Sequence, residues 1–246
     1  MKGENQMIWF LLGVAVVVAG LYIYSEYHNN PLIALFSKTL ASFCFIFLFA
    51  VVIYEKMVWV ESPHYLGADF IVFQPAAILF TLALIAGLIG DILLALRPLR
   101  PREENESIIL SGTIAFASGH VFYYFALLHL SDWSVYPFVF TAIMTTAIFF
   151  VAIKVLKFNF GKVLFPTIAY SFMIFLMIGQ SFANAVQNNF NTFSVIIMIG
   201  AILFGISDLI LSEIYFKKDH PKSFVALNLM TYYSAQILLA LAFLFA

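Results

Sequence analysis

Long apolar stretches alternate with short polar links along the whole chain. Each stretch has at least 18 residues, close to the roughly 20 that a helix needs to cross a bilayer. A membrane-spanning strand would instead show about ten residues of strict alternation. The pattern therefore predicts an all-α polytopic membrane protein, with residues 1–246 forming a single integral-membrane helical domain. Eight transmembrane helices are expected, at about 7–24, 32–54, 70–97, 107–130, 134–156, 162–185, 192–216 and 223–245.

Composition agrees with this pattern and removes several classes of protein. Hydrophobic residues make up 63% of the chain and charged residues 10%, whereas a soluble domain carries about 25% charged residues. The net charge of −1 gives no basis for nucleic-acid binding, so membrane lipids are the expected partners. The single cysteine, Cys44, excludes an internal disulfide. None of these features indicates an oligomeric state.

Basic residues are distributed unevenly between the two sides of the membrane. We call face A the side reached after the first, third, fifth and seventh helices. Of the 12 Lys and Arg residues, only Lys2 and Lys56 fall on the opposite side. Because cytoplasmic loops are enriched in Lys and Arg, we expect face A to be cytoplasmic and both termini external, in the plasma membrane or a bacterial inner membrane. The basic residues of face A are Lys38, Arg97, Arg100, Arg102, Lys154, Lys157, Lys162, Lys217, Lys218 and Lys222.

An internal duplication would explain similarities between the two halves of the chain. Gly-Asp-Ile-Leu-Leu around Asp91, in the third helix, resembles Ser-Asp-Leu-Ile-Leu around Asp208, in the seventh helix, 117 residues later. The Tyr-Tyr pairs that begin at Tyr123 and Tyr232 are 109 residues apart. Each spacing is about one block of four helices, which predicts a parallel 4+4 helix repeat. Chance similarity among apolar helices explains the same resemblances equally well.

Asp91 and Asp208 lie at membrane depth, where an ionisable side chain costs roughly 2.5–3.5 kcal/mol. They are about six and eight residues from the face-A ends of their helices, which is roughly 9–12 Å at 1.5 Å per residue. An aspartate is too short to reach the interface from that depth. The alternative is a structural role, because a polar side chain in a membrane helix often only bonds to a neighbouring helix.

Further polar side chains fall in the same half of the membrane. His120 and Tyr124 are one turn apart in the fourth helix, and Tyr232 and Gln236 are one turn apart in the eighth, so each pair shares a face. Lys38, near the start of the second helix, can extend its amine towards face A. The convergence of these groups with the two aspartates predicts a shared site. Taken singly, the histidine and the tyrosines are explained as well by helix packing.

Four segments carry most of these polar residues, in the order Gly-Leu-Ile-Gly-Asp91, Gly119-His120-Val-Phe-Tyr, Gly200-Ala-Ile-Leu-Phe-Gly-Ile-Ser-Asp208 and Thr231-Tyr-Tyr-Ser-Ala-Gln236. They resemble the motifs of the YhhN family of multi-pass membrane proteins, from about Lys38 to the C-terminus, and the stretch from Pro166 to Tyr170 also matches in outline. Thr39 follows Lys38 where that family usually has proline. The characterised members are lysoplasmalogenases. The resemblance therefore implies hydrolysis of the vinyl ether bond of alkenyl-glycerophosphoethanolamine or alkenyl-glycerophosphocholine, to a fatty aldehyde and a glycerophospho-headgroup.

Acid–base chemistry suits this reaction. A vinyl ether is hydrolysed when the β-carbon of its double bond is protonated and water attacks the resulting oxocarbenium ion. Two carboxyl groups can divide these tasks, as in glycosidases, because burial and a second carboxylate can keep a proton on one of them at neutral pH. The expected catalytic residues are Asp91, Asp208 and His120, and the expected substrate-binding residues are Lys38, Tyr124, Tyr232 and Gln236.

Each of these residues has an expected role. His120 would position water or relay a proton, Tyr232 or Gln236 would hold the ether oxygen or the glycerol, and Lys38 with the arginines of face A would bind the phosphate. Either aspartate fits the role of acid or of base. Aspartate and histidine also bind metals, but no spacing among them requires a metal, and no cofactor is expected.

A second class of function competes with the enzyme. Intramembrane aspartate and histidine also form proton relays in transporters, and parallel repeats occur in transporter folds, so a proton-coupled transporter or lipid flippase is the alternative. Against it, Pro75 and Pro166 do not lie in corresponding helices. A membrane protein that binds lipid without turnover is a third class. Release of fatty aldehyde by the purified protein separates the enzyme from both.

Overall fold

The computed structural model describes residues 4–28, 30–60, 69–217 and 221–246. These residues form helices and no β-strand, and eight helices are long and apolar enough to cross a membrane. The predicted all-α polytopic architecture is therefore confirmed. The helices are α1 (Glu4–Tyr27), α2 (Pro31–Val60), α3 (Asp69–Ala95), α4 (Asn105–Leu130), α5 (Tyr136–Phe150), α6 (Leu164–Gln187), α7 (Thr192–Phe216) and α8 (Lys222–Leu241).

Local sequence explains several helix ends. α3 ends at Ala95, three residues before Pro98, because proline has no backbone N–H to continue the helical hydrogen bonds. Only a short 3₁₀ turn, Arg97–Leu99, continues the chain there. At the start of α7, the Asn191 side chain accepts a hydrogen bond of 2.9 Å from the backbone N–H of Ser194. This cap satisfies one of the N–H groups that a helix start leaves unpaired.

Six of the helices form a ring, and two lie outside it. Around the ring, α2 packs against α3, α3 against α4, α4 against α6, α6 against α7, α7 against α8, and α8 against α2. α1 packs on the outside of α2 and α8, while α5 packs on the outside of α6. Most contacts within the first four helices thus have a counterpart among the last four. A parallel duplication, in which α3 matches α7 and α4 matches α8, would produce this correspondence and stays a prediction.

Glycines allow α3 and α4 to approach closely beside the polar residues. A methyl group at Gly90 would lie 2.6 Å from the Phe116 ring, and one at Gly119 would lie 3.2 Å from the backbone oxygen of Ala83. Small residues at such contacts are how membrane helices gain van der Waals packing without a hydrophobic driving force. The approach brings Asp91 of α3 and His120 of α4 into the same interior.

Aromatic side chains fill the interior and also cover the outside. Phe80 packs edge-on against Phe243 and Tyr123, with ring centroids 4.9 and 5.0 Å apart. Other phenylalanines point outward, and Phe36 and Phe165 are 73% and 79% exposed. An outer surface rich in exposed phenylalanine suits contact with lipid chains rather than with water.

The structure describes only some of the basic residues on which the predicted orientation rests. Lys2 and Lys218 lie outside the described residues, as do the side chains of Lys56, Arg102 and Lys222. The other basic residues of face A follow α3, α5 or α7 or lie near the starts of α2 and α6.

Candidate active site

Asp91 sits near the end of α3 with three donors around its carboxylate. Its side chain is 1% exposed, and its Oδ1 lies 3.1 Å from the Lys38 Nζ. Its Oδ2 accepts hydrogen bonds of 2.6 Å from the Ser42 hydroxyl and of 2.6 Å from the Tyr232 hydroxyl. α2 supplies two of these donors and α8 the third. The cation and the two hydroxyl donors hold this buried carboxylate in a fixed position.

Lys38 is part of this arrangement and not a free surface charge. Its side chain is 11% exposed, and its Nζ lies 5.7 Å from the centroid of the Tyr22 ring, within the range of a cation–π contact. Tyr22, on α1, packs edge-on against Tyr233 of α8, with centroids 5.9 Å apart. The ammonium is therefore held between the Asp91 carboxylate and an aromatic ring. The contact also attaches α1 to the polar interior.

Asp208, on α7, has a different set of neighbours. The Tyr170 hydroxyl of α6 donates a hydrogen bond to its Oδ2. The Nε2 of His120 lies 3.1 Å from the Tyr170 oxygen and 4.0 Å from the same Oδ2. The Oδ1 of Asp208 makes no hydrogen bond within the described part of the chain, and no lysine or arginine there pairs with this carboxyl.

The three groups define the tautomer of the histidine. Since Tyr170 has one hydroxyl proton and donates it to Asp208, the Nε2 of His120 must be the donor towards the tyrosine oxygen. The Nδ1 of His120 is buried without a hydrogen-bond partner among the described residues. The imidazole and the Phe204 ring pack in a T-shaped arrangement, with their centroids 4.8 Å apart. His120, Tyr170 and Asp208 thus form a directed chain of hydrogen bonds that ends at the carboxyl.

One cavity of about 120 Å³ joins the two aspartates. Asp91 and Asp208 both line it, together with Lys38, Tyr170 and Tyr232. The lining comes from the ends of α3, α5 and α7 and from the starts of α2, α4, α6 and α8, so the cavity lies towards face A. Much of its remaining wall is apolar, including Leu94, Ile109, Phe116, Phe149, Ile174 and Phe175. An apolar cavity with a few converging polar groups is the usual form of a small-molecule site.

A protein-family model, described as the YhhN family, matches residues 33–243, which is most of the chain. The chain belongs to the YhhN family. The resemblance inferred from the four motifs is thereby confirmed, and membership is consistent with lysoplasmalogenase activity. No curated protein and no solved structure matches the chain.

Two of the predicted substrate-binding residues of this YhhN-family protein do not line the cavity. Tyr124 is buried, and its ring packs edge-on against Phe138 of α5, with centroids 6.1 Å apart. Gln236 lies behind Tyr232 and donates a hydrogen bond of 3.0 Å to the Tyr232 hydroxyl. Gln236 therefore contacts a residue of the cavity wall, whereas Tyr124 contacts Phe138 of α5.

The residue selection made from sequence omitted Ser42 and Tyr170. Ser42 is one turn after Lys38 on α2, and that spacing was a signal that both side chains face the same neighbour. Tyr170 lay in the Pro166–Tyr170 stretch that resembles the family in outline, but nothing else distinguished it among the 12 tyrosines of the chain. Among the described residues, no three histidine, cysteine, aspartate or glutamate side chains are grouped to hold a metal ion.

Proposed function

We propose that this protein hydrolyses the vinyl ether bond of lysoplasmalogens in the cavity between α3 and α7. The observation that carries the proposal is that Asp91 and Asp208 line the same cavity and have different partners. The reaction needs a proton donor near an alkene carbon and a negative charge near the cation that forms. The two aspartates match these two needs. Membership of the YhhN family supports the choice of substrate.

Asp208 is the better candidate for the acid. Its Oδ1 has no hydrogen-bond partner within the described residues, so a proton on this oxygen would point to no competing acceptor of the protein. Tyr170 fixes the other oxygen, and His120 fixes Tyr170. A carboxyl held through one oxygen has a defined direction for proton transfer, which is what general acid catalysis requires.

Asp91 is the better candidate for the fixed negative charge. Lys38, Ser42 and Tyr232 all stabilise its anion, so it is poorly suited to giving up or taking a proton during turnover. A preorganised anion beside the oxocarbenium ion would lower the energy of the transition state without rearrangement. In this account Lys38 is the counterion that keeps Asp91 charged, a role that differs from the phosphate contact expected from sequence.

The proposed reaction begins and ends with a proton on Asp208. The Asp208 proton moves to the β-carbon of the alkenyl chain, and the ether oxygen shares the positive charge that forms on the adjacent carbon. Water attacks that carbon and gives a proton to the Asp208 carboxylate, which restores the acid. The hemiacetal then breaks its bond to the glycerol oxygen, which takes up the hydroxyl proton. A fatty aldehyde and a glycerophospho-headgroup leave.

Solvent deuterium tests the chemistry directly. Purified protein given a lysoplasmalogen in heavy water is expected to release an aldehyde with one deuterium on its α-carbon, measured by mass spectrometry. Asp91→Asn and Asp208→Asn are each expected to lower turnover by at least about 10²-fold, the usual weight of general acid–base catalysis. Glu213→Gln is the matched control, because Glu213 lies on α7 but pairs with Lys217.

Two outcomes would count against the proposal. An aldehyde without deuterium at that position would mean that the alkene carbon was never protonated. No aldehyde at all, together with lipid or solute uptake by proteoliposomes, would favour the transporter.

We also propose that face A is cytoplasmic, so that the cavity opens towards the cytoplasm. Arg97, Arg100, Lys157 and Lys217 follow the odd-numbered helices on this side, and cytoplasmic loops are enriched in such residues. A reporter that functions only in the cytoplasm is expected to be inactive when fused after Ala246. An active fusion would reverse the orientation.

A further inference from the structure

Arg97 lies beyond Asp91 on the side of the cavity nearest to face A. Asp91, Leu94 and Arg97 are three residues apart, a spacing that places successive side chains along one side of a helix. Asp91 and Leu94 both line the cavity. α3 ends at Ala95, and Arg97 begins the 3₁₀ turn that follows. At about 1.5–2.0 Å per residue, the backbone of Arg97 is therefore roughly 9–12 Å closer to the membrane surface than that of Asp91.

An aromatic ring holds the guanidinium of Arg97. Its Cζ lies 4.6 Å from the centroid of the Tyr215 ring, and Tyr215 lines the cavity. No carboxylate pairs with Arg97 within the described residues, whereas the neighbouring Arg100 pairs with Glu104 at 3.7 Å. A guanidinium stacked on a ring still presents its N–H donors at its edge. Arg97 is thus a positioned cation whose charge no described carboxylate neutralises.

Lys38, the basic residue that lines the cavity wall, is already engaged. Its ammonium is 3.1 Å from the Asp91 carboxylate and 5.7 Å from the Tyr22 ring. Drawing it towards a second anion would leave a buried carboxylate without its counterion, which is strongly unfavourable. A negatively charged ligand in this cavity therefore needs a different cation.

We propose that Arg97, stacked on Tyr215, binds the phosphodiester anion of the lysolipid headgroup. The identity of the lipid rests on the proposed function, while the anion contact rests on the position of Arg97 against Tyr215, a residue of the cavity wall. Five single bonds separate the ether oxygen from the phosphorus, a reach of roughly 6–7 Å at about 1.5 Å per bond. With the length of an arginine side chain, this reach covers the interval between Asp91 and Arg97. Guanidinium and phosphate form paired, charge-assisted hydrogen bonds.

A binding experiment with lipids that cannot be hydrolysed tests this contact. The two probes are 1-O-hexadecyl-glycerophosphocholine and 1-O-hexadecylglycerol, which share a saturated ether chain and differ in the phosphodiester headgroup. The wild-type protein in detergent is expected to bind the first about tenfold more tightly or better, the weight of hydrogen bonds between charged groups. Arg97→Gln is expected to remove this preference. Binding to 1-O-hexadecylglycerol should not change.

Matched variants separate charge, stacking and folding. Arg100→Gln removes a nearby arginine that pairs with Glu104 and is expected to keep the full preference. Tyr215→Phe should also keep it, because the ring remains, whereas Tyr215→Leu should reduce it. Unchanged affinity of each variant for 1-O-hexadecylglycerol shows that the cavity is intact. An Arg97→Gln protein that retains the full preference would overturn the proposal.

The test also identifies the source of the anion and keeps the two proposals apart. Inorganic phosphate at the same concentration is expected not to displace the phospholipid, and efficient displacement would indicate a general anion site and overturn the lipid assignment. If the preference depends on Arg97 but no aldehyde is ever produced, the headgroup contact stands and the hydrolysis fails. If aldehyde is produced and Arg97→Gln changes neither binding nor KM, the hydrolysis stands and the contact fails.

Discussion

Asp91 and Asp208 lie in matching helices of the two halves, α3 and α7, but their surroundings differ. Asp91 has an ammonium and two hydroxyl donors. Asp208 has one tyrosine donor, a histidine behind it, and an oxygen without a hydrogen bond in the described chain. If the halves arose by duplication, the same side chain has an ion pair in one half and, in the other, a carboxyl oxygen without a hydrogen bond among the described residues. Two roles can thus arise from one residue type, because neighbours determine which form a carboxyl adopts.

The largest expected contrast between the two halves is in stability. Asp91→Asn leaves the Lys38 ammonium buried without its partner and is expected to cost about 3–5 kcal/mol in the free energy of unfolding. Among the described residues, Asp208→Asn removes no ion pair with lysine or arginine, so it should change stability by less than about 1 kcal/mol. Thermal unfolding in detergent measures the stability of both variants. Equal losses of stability would mean that the ion pair of Asp91 does not make its site more important for folding than that of Asp208.

A double variant sharpens this result. Asp91→Asn with Lys38→Met removes both members of the pair, so much of the stability lost in Asp91→Asn should return. The double variant should stay inactive, because the fixed anion is still missing. Stability that falls further in the double variant would show that Lys38 stabilises the fold independently of Asp91.

Much of this arrangement was visible in the sequence. Apolar stretches long enough to cross a bilayer predicted the eight helices, because lipid leaves a chain few other ways to satisfy its backbone. Asp91 and Asp208 stood out because charges at that depth are rare and costly. Tyrosines gave no such signal, since their rings suit an apolar helix whether or not the hydroxyl has a role. The resemblance of Pro166–Tyr170 to the family gave Tyr170 no role, and only its contact with Asp208 does so.

Pairing between helices was the other part that sequence could not supply. Lys38 was placed near face A because long basic side chains commonly reach the interface. Its partner depends on how α2 rotates against α3, and apolar helices carry little information about that rotation. The structure turns Lys38 inward to Asp91. In the proposed mechanism Lys38 therefore does not bind the phosphate. The arginines of face A, which were expected to share this role, remain, and Arg97 is one of them.

The next contrast is between the tyrosines that serve the two aspartates. Tyr170→Phe removes the only hydroxyl donor that Asp208 has among the described residues, and turnover should fall about tenfold as the acid loses its orientation. Tyr232→Phe removes one of three donors to Asp91, and Lys38 and Ser42 remain, so the loss should be no more than about threefold. Steady-state kcat for both variants decides the matter. A larger loss in Tyr232→Phe would assign the proton-transfer role to Asp91.

The smallest effect is expected at Tyr124, which helical spacing had grouped with His120. Four residues advance a helix by about 400° at 3.6 residues per turn, so the two side chains diverge by roughly 40°. The offset turns His120 towards Tyr170 at 3.1 Å and Tyr124 towards the Phe138 ring. Tyr124→Phe keeps the ring and removes only a hydroxyl outside the cavity. Both kcat and KM should therefore stay within about twofold, as substitutions that leave packing intact usually change little. A rise in KM well beyond that range, at unchanged thermal stability, would mean that substrate reaches past the cavity to the contact between Tyr124 and Phe138.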